Sequence, residues 1–123
     1  MKPRILIADD DQQIIKTIST ILKSENYETL VAFDGLQAIN IAIKEIPDLI
    51  LLDIRMPASL GTSVFEKLKA SNKTATIPVI FVSAESDGEI KKKALDLGAE
   101  GYITKPFAAE YLISEIKRVL PNR

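Results

Sequence analysis

Five short apolar runs alternate with five segments of helical spacing, and that alternation admits very few folds. Ile5-Leu6-Ile7-Ala8, Leu49-Ile50-Leu51-Leu52 and Val79-Ile80-Phe81-Val82 read as strands buried on both faces, and Thr29–Ala32 and Gly101–Thr104 are weaker examples of the same kind. Between them Ile14, Ile15, Ile18, Ile21 and Leu22 follow the i, i+4, i+7, i+8 pattern of one buried helix face. Leu36, Ile39, Ile43 and Ile46 form a second such stripe, and Val64, Phe65 and Leu68 a third. Ile90, Ala94, Leu95 and Leu97 make a fourth, with Gly98 as its stop. Tyr111, Leu112, Ile116, Val119 and Leu120 complete the set ahead of Pro121.

Strands that are apolar on both faces need helices on both sides, so βα repeated five times predicts a doubly wound parallel sheet. Right-handed crossovers leave few orders, of which the flavodoxin-like order 2-1-3-4-5 suits five strands. A length of 123 residues predicts one domain spanning 1–123, because single domains cluster at roughly 100–150 residues. Lys91-Lys92-Lys93 sits inside a helical pattern and reads as a solvated face, or else as part of a docking surface.

The chain contains neither cysteine nor histidine. Disulfides, thiolate or imidazole metal ligation, cysteine nucleophiles and Ser-His-Asp catalysis are therefore excluded. Carboxylates, hydroxyls, lysines and a hard, oxygen-loving cation remain. A net charge of −1 creates no field that would draw nucleic acid or an anionic membrane. No apolar stretch approaches the ~20 residues of a membrane span, which makes the cytoplasm the expected location.

In an open parallel sheet, ligands bind beyond the carboxyl ends of the strands, so the residues just after each strand are diagnostic. Asp9, Asp10 and Asp11 follow the first, Asp53 the third, Ser83 closes the fourth, and Lys105 follows the fifth. In the expected order these strands are neighbours, and their ends converge at one edge. Each residue alone has a plainer reading. An Asp after a strand often caps a helix, and Asp11 is placed to do that for the first helix. Ser83 alone reads as a capping hydroxyl and Lys105 as a surface lysine. Their joint placement favours a site. Two carboxylates about 4 Å apart repel by roughly 4 kcal/mol at an effective dielectric near 20. Asp9, Asp10 and Asp53 would therefore need Lys105 and a divalent cation; oxygen-only ligands suit Mg2+, with Mn2+ a substitute.

The stretches "ILIADDD", "PDLILLDIRMP" with Gly61 eight residues after Asp53, "PVIFVSAES" and "GAEGYITKPF" together resemble the receiver domain of two-component response regulators. The resemblance covers essentially the whole chain. It implies Asp53 as phosphoacceptor, Asp10 as a direct metal ligand, Asp9 acting through a metal-bound water, and the Arg55 backbone carbonyl completing the protein's ligands. It implies Ser83 as the hydroxyl that binds a phosphoryl oxygen, Lys105 as the phosphoryl-pairing lysine and Tyr102 as the aromatic that moves with Ser83. Ala84, small and next to Ser83, leaves the phosphoryl group room.

A domain of this kind catalyses its own Mg2+-dependent phosphorylation and dephosphorylation and is not a conventional enzyme. With no histidine in the chain, the donor imidazole comes from a histidine kinase or histidine phosphotransfer protein. The output surface would be the fourth helix, fifth strand and fifth helix, acting on a downstream protein or on an effector domain. Only two residues follow Pro121, so the chain reads as a stand-alone regulator or a receiver cut from a longer protein. Arg55 and Glu85, two residues beyond Asp53 and Ser83, flank the path of attacking water and are expected to pair across the site and prolong the acyl phosphate's lifetime. One departure is Leu60, where the family often carries Asp or Asn before the glycine.

Three alternatives compete. A phosphatase of the haloacid dehalogenase type needs a second Asp where this chain has Arg55. A flavin-binding module shares the topology, but three aspartates in the first loop would repel the cofactor's phosphate. A degenerate receiver acting as a phosphorylation-independent adaptor is opposed by the intact set Asp9, Asp10, Asp53, Ser83 and Lys105.

Overall fold

Every apolar run forms a strand, four of the helical segments form the crossovers between them, and the fifth follows the last strand. A computed structural model describes residues 2–56, 59–84 and 88–120. The order is β1 (Arg4–Ala8), α1 (Gln12–Ser24), β2 (Glu28–Ala32), α2 (Gly35–Glu45), β3 (Leu49–Leu52), α3 (Gly61–Ala70), β4 (Val79–Ser83), α4 (Gly88–Asp96), β5 (Gly101–Thr104) and α5 (Ala109–Val119). The strands form one parallel sheet in the order β2-β1-β3-β4-β5, as expected. Between β3 and α3 a two-residue antiparallel ribbon pairs Arg55 with Leu60 and Met56 with Ser59, an element the periodicity did not indicate.

Side chains alternate across a strand, so each central strand feeds two cores. Leu6, Ala8, Ile50, Leu52 and Phe81 face one side, where they meet Val64, Phe65 and Leu68 of α3 and Ala94 of α4. Ile5, Ile7, Leu49, Leu51, Ile80 and Ile103 face the other, against α1 and α5. Burial of one such Leu or Ile side chain contributes about 1.5–3 kcal/mol. Removal of that apolar surface from water holds the sheet ends in fixed register. Ala8 pairs with both Ala32 and Leu52, and Ser83 pairs with Thr104.

The stripes of α1 and α3 are buried as expected, through Ile15, Ile18 and Leu22 and through Val64, Phe65 and Leu68. On α5, Leu112 and Ile116 are buried, whereas Tyr111 is exposed. The stripe expected on α2 is displaced. Its buried residues are Gly35, Ala38 and Ala42, while Leu36, Ile43 and Ile46 are exposed. Small residues let the helix lie close to the sheet, and the larger side chains are turned away from it. On α4 Ala94 is buried and Ile90 packs partly buried against the same core, whereas Leu95 and, just past the helix, Leu97 are exposed. Gly98 does stop α4, with φ at +109°, a left-handed geometry that glycine adopts without steric cost. Lys91, Lys92 and Lys93 are exposed. No helix among the described residues is long and apolar enough to cross a membrane.

Candidate functional site

The parallel ladder runs on past the strands and fixes the backbone of the site. Asp9 N–H donates to the Ala32 carbonyl at 3.0 Å, and Asp53 N–H donates to the Ala8 carbonyl at 2.9 Å. Lys105 N–H donates to the Ser83 carbonyl at 2.8 Å. Asp9, Asp53, Ser83 and Lys105 therefore leave the sheet at one edge, as the strand-end reading expected.

Three carboxylates share that edge. Oxygens of Asp9, Asp10 and Asp53 all lie within 4.8 Å of one another, with Asp9 and Asp53 buried and Asp10 exposed. Asp9 Oδ1 accepts from the Asp11 N–H at 2.9 Å, and its Oδ2 accepts from Lys105 Nζ at 2.7 Å. Asp53 Oδ1 accepts from the Arg55 N–H at 3.3 Å, and its Oδ2 lies 3.7 Å from Lys105 Nζ. Burial first, then the charge on Asp9, pushes the Asp53 carboxyl up to about 6; Lys105 and the Arg55 N–H pull against that shift.

Asp11 stands apart from the cluster. Its Oδ1 accepts from the Gln13 and Ile14 N–H groups at 2.9 and 3.4 Å, which makes it the N-cap of α1. The "ADDD" triplet thus divides into two site residues and one cap.

The remaining expected residues fall around the cluster. Ser83 is 1% exposed at the end of β4. Tyr102 is buried, its ring 6.4 Å from that of Phe81, which in turn lies 5.7 Å from Phe65. Arg55 is exposed, and Ala84 is exposed beside Ser83. Glu85 lies outside the described residues, so the expected Arg55–Glu85 pairing is not described.

One residue of the site was not singled out by its chemistry. Gly61 packs directly on the peptide that carries Asp53. A Cβ there would sit 2.3 Å from the Asp53 carbonyl oxygen and 2.8 Å from the Ile54 Cα. Gly61 N–H also donates to the Ile54 carbonyl at 2.6 Å, which closes the ribbon under Asp53. The only signal in the sequence was the glycine eight residues after Asp53.

At these separations each pair of carboxylates repels by about 3–4 kcal/mol at an effective dielectric near 20. The Lys105 ammonium offsets one of these three negative charges, and the cluster calls for more positive charge. A donor set made only of oxygen, half-buried and short of that charge, suits a hard divalent cation.

Comparisons with known proteins agree with this geometry. Residues 5–117 match the response regulator receiver domain family. The chain is 36% identical over 118 residues to the DNA-binding dual master transcriptional regulator RpaA of Synechocystis, covering 96% of this chain and 49% of that protein. It is 38% identical over 116 residues to the phosphate regulon transcriptional regulatory protein PhoB of Pseudomonas aeruginosa, covering 94% and 51%. The chain thus spans about half the length of the curated relatives it matches. Among solved structures, a CheY-like response regulator receiver domain protein from Methanospirillum hungatei superposes with a TM-score of 0.91 at 31% identity, covering 98% of this chain and 95% of that one. The receiver domain of Francisella response regulator 1452 gives 0.90 at 34% identity, covering 98% of each chain. The chain belongs to the response regulator receiver domain family of two-component systems.

Proposed function

We propose that residues 1–123 act as a single phosphorylatable receiver domain in which Asp53 accepts a phosphoryl group from the phosphohistidine of a partner histidine kinase or histidine phosphotransfer protein. The observation that carries this reading is the setting of Asp53. It is a buried carboxylate with Asp9 and Asp10 on one side and an ammonium that reaches both it and Asp9.

In the transfer, an Asp53 carboxylate oxygen forms a bond to phosphorus while the phosphorus–nitrogen bond of the donor breaks, and the imidazole leaves with its electron pair. Such transfers need in-line positioning and charge neutralisation more than covalent help from the protein. The Arg55 N–H holds one Asp53 oxygen and leaves the carboxylate a defined orientation. Lys105 pairs with phosphoryl oxygens, and the Ser83 hydroxyl donates to another. Asp10, Asp53 and the Arg55 carbonyl are the proposed Mg2+ ligands, with Asp9 acting through a water. Mg2+ bound there supplies the positive charge that three carboxylates and a phosphoryl group require.

The output reading rests on the proximity of two strand ends. Phe81 pairs with Tyr102 across β4 and β5, so a shift of Ser83 is two residues from the Tyr102 ring. Phosphorylation is proposed to bias a pre-existing equilibrium of Ser83 and Tyr102 and so change the α4, β5 and α5 surface. That surface would address a downstream protein or an effector domain. Arg55 and Glu85 are proposed to govern how long the acyl phosphate lasts.

The test is incubation with acetyl phosphate, with Mg2+ or with chelator, followed by intact mass. One phosphoryl adduct that needs the metal supports the reading. No adduct under any condition favours a phosphorylation-independent adaptor.

A further inference from the structure

Of seven large apolar side chains exposed among the described residues, four lie between residues 33 and 46. Phe33 is 42% exposed, Leu36 70%, Ile43 36% and Ile46 47%. Leu36, the exposed Asn40 and Ile43 recur at steps of four and three along α2, with Phe33 just before the helix and Ile46 at its C-cap. A narrow seam of that spacing is what one helix presents to another, and it is distinct from the wider stripe a helix presents to a core. The core contact of α2 is already made by Gly35, Ala38 and Ala42 on a different face. The helix therefore carries two apolar faces and buries one.

Local structure holds this second face rigid. Asp34 accepts from the Gln37 N–H at 2.8 Å, and the Gln37 side-chain oxygen accepts from the Phe33 N–H at 2.8 Å, which fixes the approach into the helix. At the other end Ile46 is left-handed, with φ at 44°. A β-branched residue is strained there, where Gly or Asn would relax it, yet its side chain extends the seam.

We propose that the α2 seam is a self-association surface, in which α2 of one copy packs antiparallel on α2 of a second. Two features select a second copy in this orientation. Asn40 lies at the middle of the seam, and an amide, being both donor and acceptor, can pair with its own image across a two-fold axis; single polar residues in apolar seams set register in this way. The charges at the two ends are opposite: Asp34 at the start of α2 and exposed Lys44 near its end. Antiparallel packing sets each against its opposite in the other copy, whereas parallel packing sets like against like. Standard interfaces bury about 800 Å² per partner, more than one short helix face supplies, so the association is weak and concentration-dependent. α2 packs on α3, β1 and β2, at the far side of the sheet from the α4, β5 and α5 surface, so the association is expected to be independent of the phosphorylation-driven change proposed for that surface.

Sedimentation equilibrium of the wild-type protein, with and without acetyl phosphate and Mg2+, reads the association directly. The expected result is a monomer–dimer equilibrium unchanged by phosphodonor and weakened at least tenfold in the doubly substituted L36K/I43K protein, with circular dichroism confirming its fold. The chain has no cysteine, so single substitutions allow clean disulfide mapping. Asn40→Cys should cross-link to itself, and Gln37→Cys should cross-link to Ile43→Cys faster than either does to itself. Tyr111→Cys, on α5, should not cross-link. A protein that stays monomeric at millimolar concentration, a dimer unaffected by L36K/I43K, or preferential Tyr111→Cys cross-linking would overturn the proposal. Faster 37–37 than 37–43 cross-linking would overturn its antiparallel geometry.

Discussion

Lys105 is bonded to Asp9 rather than to Asp53: its Nζ lies 2.7 Å from Asp9 Oδ2 and 3.7 Å from Asp53 Oδ2. One ammonium therefore holds Asp9 and leans toward the proposed acceptor. Its positive charge opposes a cation at the cluster yet favours a phosphoryl group on Asp53, so the two processes should respond oppositely to its loss.

Lys105→Met is expected to bind Mg2+ several-fold more tightly, because a like charge is removed about 4 Å or more from the cation. The same variant should be phosphorylated at least tenfold more slowly, since it loses a fixed positive charge at the developing phosphoryl oxygens. Calorimetric Mg2+ titration and phosphorylation time courses check the two halves. Parallel loss of both would show that Lys105 only holds the loop in place.

Asp53 titrates from 3.8 in the ordinary case to about 6 here, because burial and Asp9 disfavour its charge. A raised carboxyl means that the native protein holds this proton more tightly than the unfolded chain does. The resulting stability is fully present below about pH 4 and is lost as pH rises through about 6. Asp53→Asn, which never ionises, should therefore stabilise the metal-free protein at pH ~8 by up to roughly 2–3 kcal/mol, with the gain vanishing near pH ~4. Urea unfolding in chelator across that range measures it. A gain that grew toward acid would contradict the assignment.

The three adjacent aspartates should separate cleanly. Asp11→Ala removes the α1 cap and is expected to cost about 1 kcal/mol with Mg2+ affinity unchanged within about twofold. Asp10→Asn and Asp9→Asn should each weaken Mg2+ binding at least tenfold while leaving α1 capped. Thermal melts paired with metal titration distinguish the two classes.

Gly61→Ala places a methyl group 2.3 Å from the Asp53 carbonyl oxygen. Backbone cannot yield as a flexible side chain can, so the variant is expected to lose about 2 kcal/mol or more of stability. Its phosphorylation should also slow, because the displaced peptide carries Asp53. Gly88→Ala, with nothing within 4 Å of its Cβ position, is the control and should change neither.

The site was more legible in the sequence than the helix faces were. Strand ends are marked by the abrupt change from buried aliphatics to Asp9, Asp53 and Lys105, and parallel topology then forces them together. On α2, by contrast, Leu36, Ile39, Ile43 and Ile46 have a helical period as good as that of α1, yet of these only Ile39 packs against the core, and the fully buried face is Gly35, Ala38 and Ala42. Periodicity counts apolar surface, and small side chains have little of it. They dock because they let the backbone approach the sheet, a property of distance that hydropathy does not carry. The same limit hid the role of Gly61, which the motif spacing marks but whose missing side chain leaves room for the Asp53 peptide. It also hid which carboxylate Lys105 prefers, since a difference of 1.0 Å between two partners has no counterpart in spacing along the chain.

Phosphorylation of Asp53 is the claim on which the rest depends. Borohydride reduction of the protein after treatment with acetyl phosphate and Mg2+, followed by peptide mapping, converts an aspartyl phosphate to homoserine and locates it. The account predicts homoserine at position 53 alone, absent in chelator and absent in Asp53→Asn. Homoserine at Asp9 or Asp10, or an adduct that persists in Asp53→Asn, would contradict it.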